Sequence, residues 1–115
     1  MELERREDGD VTYLTLRGQF ETFSLPTVSQ EVERLIESGA RRVCMNFHGV
    51  SFINSTALGY LVEVGKRLED LGGKLVFSAP SRFFANTIRT LELHHVFEIF
   101  ASDQEAALFF VTGKA

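Results

Sequence analysis

The chain has 115 residues, 44% of them apolar, with eleven Phe and no Trp, which suits one packed domain and excludes a disordered chain. Its formal net charge of −4 is spread along the sequence, and no cluster of Lys and Arg forms the stripe that a phosphate backbone needs, so direct nucleic-acid binding is not expected. Cys44 is the only cysteine, which rules out an intrachain disulfide and fits a reducing, cytoplasmic setting; its apolar flanks favour a buried structural thiol.

Residues 1–10 are charged and lack the apolar stretch of a signal peptide, and no apolar run approaches the ~20 residues of a membrane span, so neither export nor membrane insertion is expected. Glu2 to Arg6, the turn signal Asp8-Gly9-Asp10 and the β-branched and aromatic run Val11 to Leu16 predict an N-terminal hairpin. From Pro26 to Ser38, Val28, Val32, Leu35 and Ile36 recur at helical spacing, with Pro26 suited to a first turn and Gly39 to a stop.

Arg42 to Phe47 is short and nearly all apolar, and predicts a covered strand ending at His48-Gly49. A helix follows from about Ser55 to Leu71, with Leu58, Leu61, Val62, Gly65 and Leu68 as its inner stripe, ended by Gly72-Gly73. Lys74 to Ser78 predicts another strand, Pro80 starts a helix with Phe84, Ile88 and Leu91 on one side, and Val96 to Phe100 gives a last strand. Ser102 and Glu105 form a capping box for a final helix burying Ala106, Phe109 and Phe110, ahead of a polar tail, Thr112 to Ala115.

The expected architecture is therefore a single α/β domain over 1–115: an N-terminal hairpin, then alternating β-α units. They form a mixed, mostly parallel sheet of four to five strands with about four helices packed mainly on one face. A strand order that runs steadily one way puts all helices on that face, leaving the other open to dimerisation through its apolar residues. It also brings the loops Gly18 to Leu25 and His48 to Asn54 together at the strands' carboxyl edge, where α/β sheets place their sites.

The second of those loops leads into Asn54-Ser55-Thr56, hydroxyls and an amide at a helix start. The first turn of a helix has unpaired N–H groups and partial positive charge, so a phosphate on Ser55 would be tolerated there while presenting about −2 to an approaching surface. The same three residue types are ordinary N-caps, and spacing does not separate a cap from an acceptor. Phe20 and Phe23, in the first loop, are candidate interface anchors. No Gly-x-Ser-x-Gly elbow or Gly-x-x-x-x-Gly-Lys loop is present to support catalysis, and His48, His94 and His95 do not form a metal-ligand pattern, so no cofactor and no metal is expected.

Leu16-Arg17-Gly18-Gln19-Phe20-Glu21 resembles the Leu-x-Gly-Glu-Leu-Asp block of the STAS family, the domain of sulfate-transporter tails and bacterial anti-sigma factor antagonists. Val50-Ser51-Phe52-Ile53-Asn54-Ser55-Thr56-Ala57-Leu58-Gly59 resembles its Val-x-Phe-Ile-Asp-Ser-Ser/Thr-Gly-Leu-Gly block, and Gly72-Gly73-Lys74-Leu75 its Gly-Gly block. The resemblance implies a non-enzymatic protein that binds an anti-sigma factor with serine kinase activity and frees a sigma factor. It also implies phosphorylation at Ser55, with Thr56 as a minor alternative acceptor, and resetting by a phosphatase. The implied contact surface comprises Phe20, Glu21, Asn54, Ser55, Thr56 and the helix start. The chain departs from the pattern in having Glu21 where the family often has Asp, Asn54 where it has Asp, and Ala57, whose methyl occupies a close-approach position, where it has Gly. A second role that the family allows is that of an interaction subunit of a lipid-transport or signalling complex, without sigma factor or phosphorylation.

Overall fold

A computed structural model describes residues 1–113; Lys114 and Ala115, the end of the expected polar tail, lie outside the described residues. Five strands form one sheet in the order β1-β2-β3-β4-β5: β1 (Glu2–Asp8), β2 (Val11–Phe20), β3 (Arg42–Ile53), β4 (Lys74–Ser78) and β5 (Ile99–Phe100). β1 and β2 are the antiparallel hairpin, and every later pairing is parallel. The helices are α1 (Leu25–Glu37), α2 (Ser55–Asp70), α3 (Arg82–Thr90) and α4 (Asp103–Thr112), with a 3-10 turn at Leu93–His95.

The two central strands are longer than their sequence patterns predict. β2 continues past Leu16 to Phe20 and β3 past Phe47 to Ile53, because the two stay paired through irregularities between Thr15 and Arg17 and between Gly18 and Gln19. Each shift resets which residues face inward, so the apolar alternation breaks at Gly18 and Gly49 while the ladder does not. The two long loops expected at the carboxyl edge therefore shrink to residues 21–24 and to Asn54 alone.

α1, α2 and α3 cover one face of the sheet and bury a core that includes Leu14, Leu16, Phe20, Met45, Phe47 and Phe77. The rings of Phe20, Phe77 and Phe84 all pack against Phe47. On α2 the inner stripe is Ala57, Leu58, Leu61, Val64 and Leu68, so Val62 and Gly65 lie beside it and not within it. α3 begins after the Ser81 cap, later than Pro80, and Leu91, its C-cap, is exposed. The last strand contracts to Ile99–Phe100, since Leu93 to His95 coils tightly before it.

Three of the four helices thus share one face, as expected, and the final helix takes the other. α4 follows the edge strand β5 and leads to no further strand among the described residues, so the crossover rule places no constraint on it there. It packs instead on the second face, where Val11, Tyr13, Cys44, Val76 and Phe100 surround Ala106. Its first residue, Asp103, accepts hydrogen bonds from Ser78 Oγ and Asn46 Nδ2 and pairs with Arg6, an acidic start that also suits the helix N-terminus. Ser102 Oγ accepts from Glu105 N–H, while the Glu105 carboxylate reaches back to Ala101 N–H, one residue beyond the expected box. Phe109 and Phe110 are half-buried. The apolar residues of this face are thus covered by α4, so the face is not the open one that helices on a single side would leave.

Gly72 and Gly73 end α2 for two different reasons. Gly72 has φ +84°, the left-handed step of a Schellman cap in which Gly73 N–H bonds Leu68 O and Gly72 N–H bonds Glu69 O. Gly73 lies directly against the chain before β3: a Cβ there would stand 2.0 Å from Arg41 O.

Candidate functional site

The carboxyl ends of β2 and β3 lie side by side, with Phe20 paired to Ile53 and Asn54 N–H donating to Phe20 O. This pairing joins the two short segments that carry the expected site residues. Asn54 is the N-cap of α2: its backbone is extended, and its Oδ1 accepts from Ala57 N–H at 3.0 Å. Its Nδ2 donates to Thr22 Oγ1 at 3.4 Å, bridging to the turn after β2.

Ser55 and Thr56 are the first two residues of α2, and both are exposed. Because Asn54 does the capping, the Ser55 hydroxyl is released from it and forms no hydrogen bond among the described residues. The cap uses only a side-chain oxygen, so Asn serves as well as Asp in that role, but leaves no negative charge beside the hydroxyl. The N–H groups of Ser55 and Thr56 precede the intrahelical ladder and face the helix entrance. An added phosphate there would meet a favourable end of the helix.

Glu21 holds the neighbouring turn. Its carboxylate accepts from Phe23 N–H and Ser24 N–H, both at 3.1 Å, while Ser24 Oγ accepts from Glu21 N–H and donates to Gln19 O. The acid is committed to shaping the turn, which lifts Phe23 into solvent at 91% exposure.

Two expected contact residues are placed differently. Phe20 is 0% exposed, its ring edge-on to Phe47 in the core, because it is the last inward-facing residue of a strand that the sequence pattern ended too early. It supports the edge from beneath and offers no anchor. Ala57 is also 0% exposed: the third helical position turns toward the sheet along with Leu58 and Leu61, so its methyl fills the core and does not stand on the outer surface.

Two aromatics not anticipated at this edge are Phe52, near the end of β3, and Phe83 of α3, whose rings lie 5.3 Å apart and remain partly exposed. Phe83 could have been found by noting that it falls outside the Phe84–Ile88 stripe; Phe52 was hidden by the irregular end of β3. The edge therefore presents a hydroxyl pair at a helix start, flanked by exposed rings.

Elsewhere, burial pushes the Cys44 thiol up to about 12, the property of a structural cysteine. His94 and His95 stack with centroids 4.1 Å apart, and among the described residues no group of three His, Cys, Asp or Glu could hold a metal ion. No helix of the described residues is long and apolar enough to cross a membrane.

A hairpin followed by parallel β-α units, with a helix start at the sheet's carboxyl edge, defines a small α/β domain built around one surface-presented helix N-terminus. The STAS domain family model matches residues 2–106, and the chain belongs to that family. Its fold is similar to the unphosphorylated form of the anti-sigma factor antagonist SpoIIAA (19% identity, TM-score 0.74, covering 97% of this chain and 99% of that one). The phosphorylated form of the Bacillus cell fate determinant SpoIIAA matches at 18% identity and TM-score 0.71, over 92% and 96% of the two chains. An anti-sigma factor antagonist from Mycobacterium paratuberculosis matches at 15% identity and TM-score 0.82, over 93% and 91%. The fold also occurs within the murine anion transporter Slc26a9 (18% identity, TM-score 0.74), where it matches 90% of this chain but 18% of that one. At these identities the likeness is one of fold.

Proposed function

We propose that this protein is an anti-sigma factor antagonist: its Ser55 edge captures an anti-sigma factor with serine kinase activity, and phosphate on Ser55 releases it. The observation that carries the reading is the division of labour at the start of α2, where Asn54 caps the helix and Ser55 is left exposed with an uncommitted hydroxyl. A kinase can reach that oxygen without unfolding the helix. Phosphate then adds about −2 at the centre of the contact surface, opposing an acidic partner or one that must desolvate it on docking.

Phe23 is the aromatic anchor of this surface, and Phe52 with Phe83 forms a second apolar contact beside it. A phosphatase completes the cycle. The resemblance in the loop blocks supports this assignment of roles, and Thr56, equally exposed, is the alternative acceptor.

The test is titration calorimetry of the anti-sigma kinases from the same genome against the native chain, Phe23→Ala and Ser55→Asp. Loss of an exposed aromatic anchor should weaken binding about tenfold or more, and the introduced carboxylate should weaken it as well. Equal affinity for all three chains would refute the assigned surface. Tight binding only to a transporter or signalling component, insensitive to ATP, would establish an interaction subunit in its place.

A further inference from the structure

The outer face of α3 is left bare by the described residues. Phe84 and Ile88 turn into the core, while Phe83, Thr87, Thr90 and Leu91 line a shallow depression on the helix surface. Phe83 and Leu91 are both exposed and stand about 12 Å, roughly two turns, apart along the helix. Thr87 Oγ1 donates to Phe83 O, so its hydroxyl is spent on the helix and its methyl is left for a neighbour. At the Phe83 end the row continues into Phe52, whose ring lies 5.3 Å away, and so reaches the Ser55 edge.

A second, independent feature is the place of the unpaired cations. The chain is acidic, with a formal net charge of −4, yet among the described residues the arginines outside α3 are all engaged. Arg5, Arg6, Arg17, Arg34, Arg42 and Arg67 pair with carboxylates, and Arg41 donates to the carbonyls of Ile36 and Ala40. Arg82 and Arg89 have no acidic partner among those residues, and they share one flank of α3, a helix that contains no Asp or Glu. Arg89 Nη2 donates to Asn86 Oδ1, on the wall of the depression, which holds the guanidinium beside the apolar row. Among the described residues Lys66 is the remaining Lys or Arg without an ion pair, and it stands a turn from both Glu63 and Glu69 on α2.

We propose, in an inference that rests on the anti-sigma reading above, that the outer face of α3 takes an acidic amphipathic helix of the same partner. Its apolar side lies on Phe83 and Leu91 and its carboxylates on Arg82 and Arg89. The apolar row selects a protein over a polyanion, for which two arginines are too few. A helix is selected over an extended segment because α3 offers no free ladder of backbone N–H and C=O groups, only side-chain ridges for another helix to pack against. The acidic character follows from the two arginines, which a neutral or basic partner would desolvate without pairing. Through Phe52 this contact and the Ser55 edge form one continuous docking surface.

The test is titration calorimetry of the full chain with the anti-sigma kinases of the same genome, in about 50 mM and about 500 mM NaCl. Arg82→Glu/Arg89→Glu should weaken binding at least about tenfold at low salt and lose most of the salt dependence shown by the native chain. Arg82→Gln/Arg89→Gln, which keeps good helix formers, should fall between the two, and Leu91→Ser should weaken binding about threefold or more at either salt. Arg34→Glu/Lys66→Glu makes the same change in net charge away from α3 and should bind within about twofold of native. Circular dichroism checks that each variant keeps the native fold. Native-like affinity of the folded α3 variants, or an equal loss in Arg34→Glu/Lys66→Glu, would overturn the proposal. If Phe23→Ala still weakens binding in that case, the Ser55 edge stands and the α3 contact alone falls, whereas a native chain that binds none of the kinases overturns both.

Discussion

Replacing Asn54 separates the structural task of the Asn54-Ser55 pair from the signalling task proposed for it. Asn54→Ala removes the Oδ1 acceptor that takes Ala57 N–H at 3.0 Å, leaving a first-turn donor of α2 to weak hydration. Loss of an N-cap of this kind costs about 1 kcal/mol. The second bond, from Nδ2 to Thr22 Oγ1, is long at 3.4 Å and exposed, and its loss adds only ~0.5 kcal/mol, the weak end of a net hydrogen bond. The sum, ~1.5 kcal/mol, lowers the melting temperature by about 6 °C for a domain of this size. Asn54→Asp keeps the acceptor, and Thr22 can donate its own hydroxyl to the carboxylate. The new charge at the helix start adds about 0.3–1 kcal/mol of stability at low ionic strength, an increment that fades as salt is raised. Urea unfolding followed by circular dichroism, with unchanged slopes, measures both effects. The reasoning fails if Asn54→Ala unfolds at the native midpoint, or if Asn54→Asp is as destabilising as Asn54→Ala.

Gly73→Ala places a Cβ 2.0 Å from Arg41 O, a backbone atom that also accepts from Lys74 N–H. It should cost at least ~3 kcal/mol as the entry to β4 shifts, read as a lower urea midpoint, whereas Gly59→Ala meets open space and should not destabilise. The Tyr60 hydroxyl is sealed from solvent without a partner, so Tyr60→Phe should be neutral or stabilise by up to about 1 kcal/mol in the same assay. Burial raises both Cys44, from 9.0, and Tyr60, from 10.0, to about 12. In each case the folded state holds its proton more tightly than the unfolded one, so the contribution is intact below pH 9 and is lost as pH rises toward 12. Unfolding free energy should fall across that window by at most ~1.4 kcal/mol per pH unit for each group, and less steeply in Tyr60→Phe.

Much of this architecture is legible in the residues. The hairpin turn at Asp8-Gly9-Asp10, the Val28–Ile36 stripe of α1, the Gly-Gly stop of α2 and the Ser102 cap of α4 each carry a local signal that the tertiary fold obeys. What is not legible depends on pairing between distant segments. The outer halves of β2 and β3 pair through register shifts, and no single-strand alternation survives such a shift. That is why Phe20 reads as a loop residue and Phe52 as unremarked, although the first is core and the second lies on the edge surface. The placement of α4 depends on which sheet face is left uncovered, a property of the assembled sheet and not of residues 103–112. At the site, the motif locates Ser55, but only the hydrogen bond from Ala57 N–H to Asn54 shows which of the three polar residues is the cap.

The most direct test of the proposed switch is a count of phosphates and their position after incubation with an anti-sigma kinase and Mg-ATP. Peptide mass spectrometry of the native chain and Ser55→Ala, with pull-down before and after the reaction, gives both readings in one experiment. The expected result is one phosphate, on Ser55, absent from Ser55→Ala and accompanied by release of the kinase. A stable complex that survives ATP with Ser55 and Thr56 both unmodified would contradict the account.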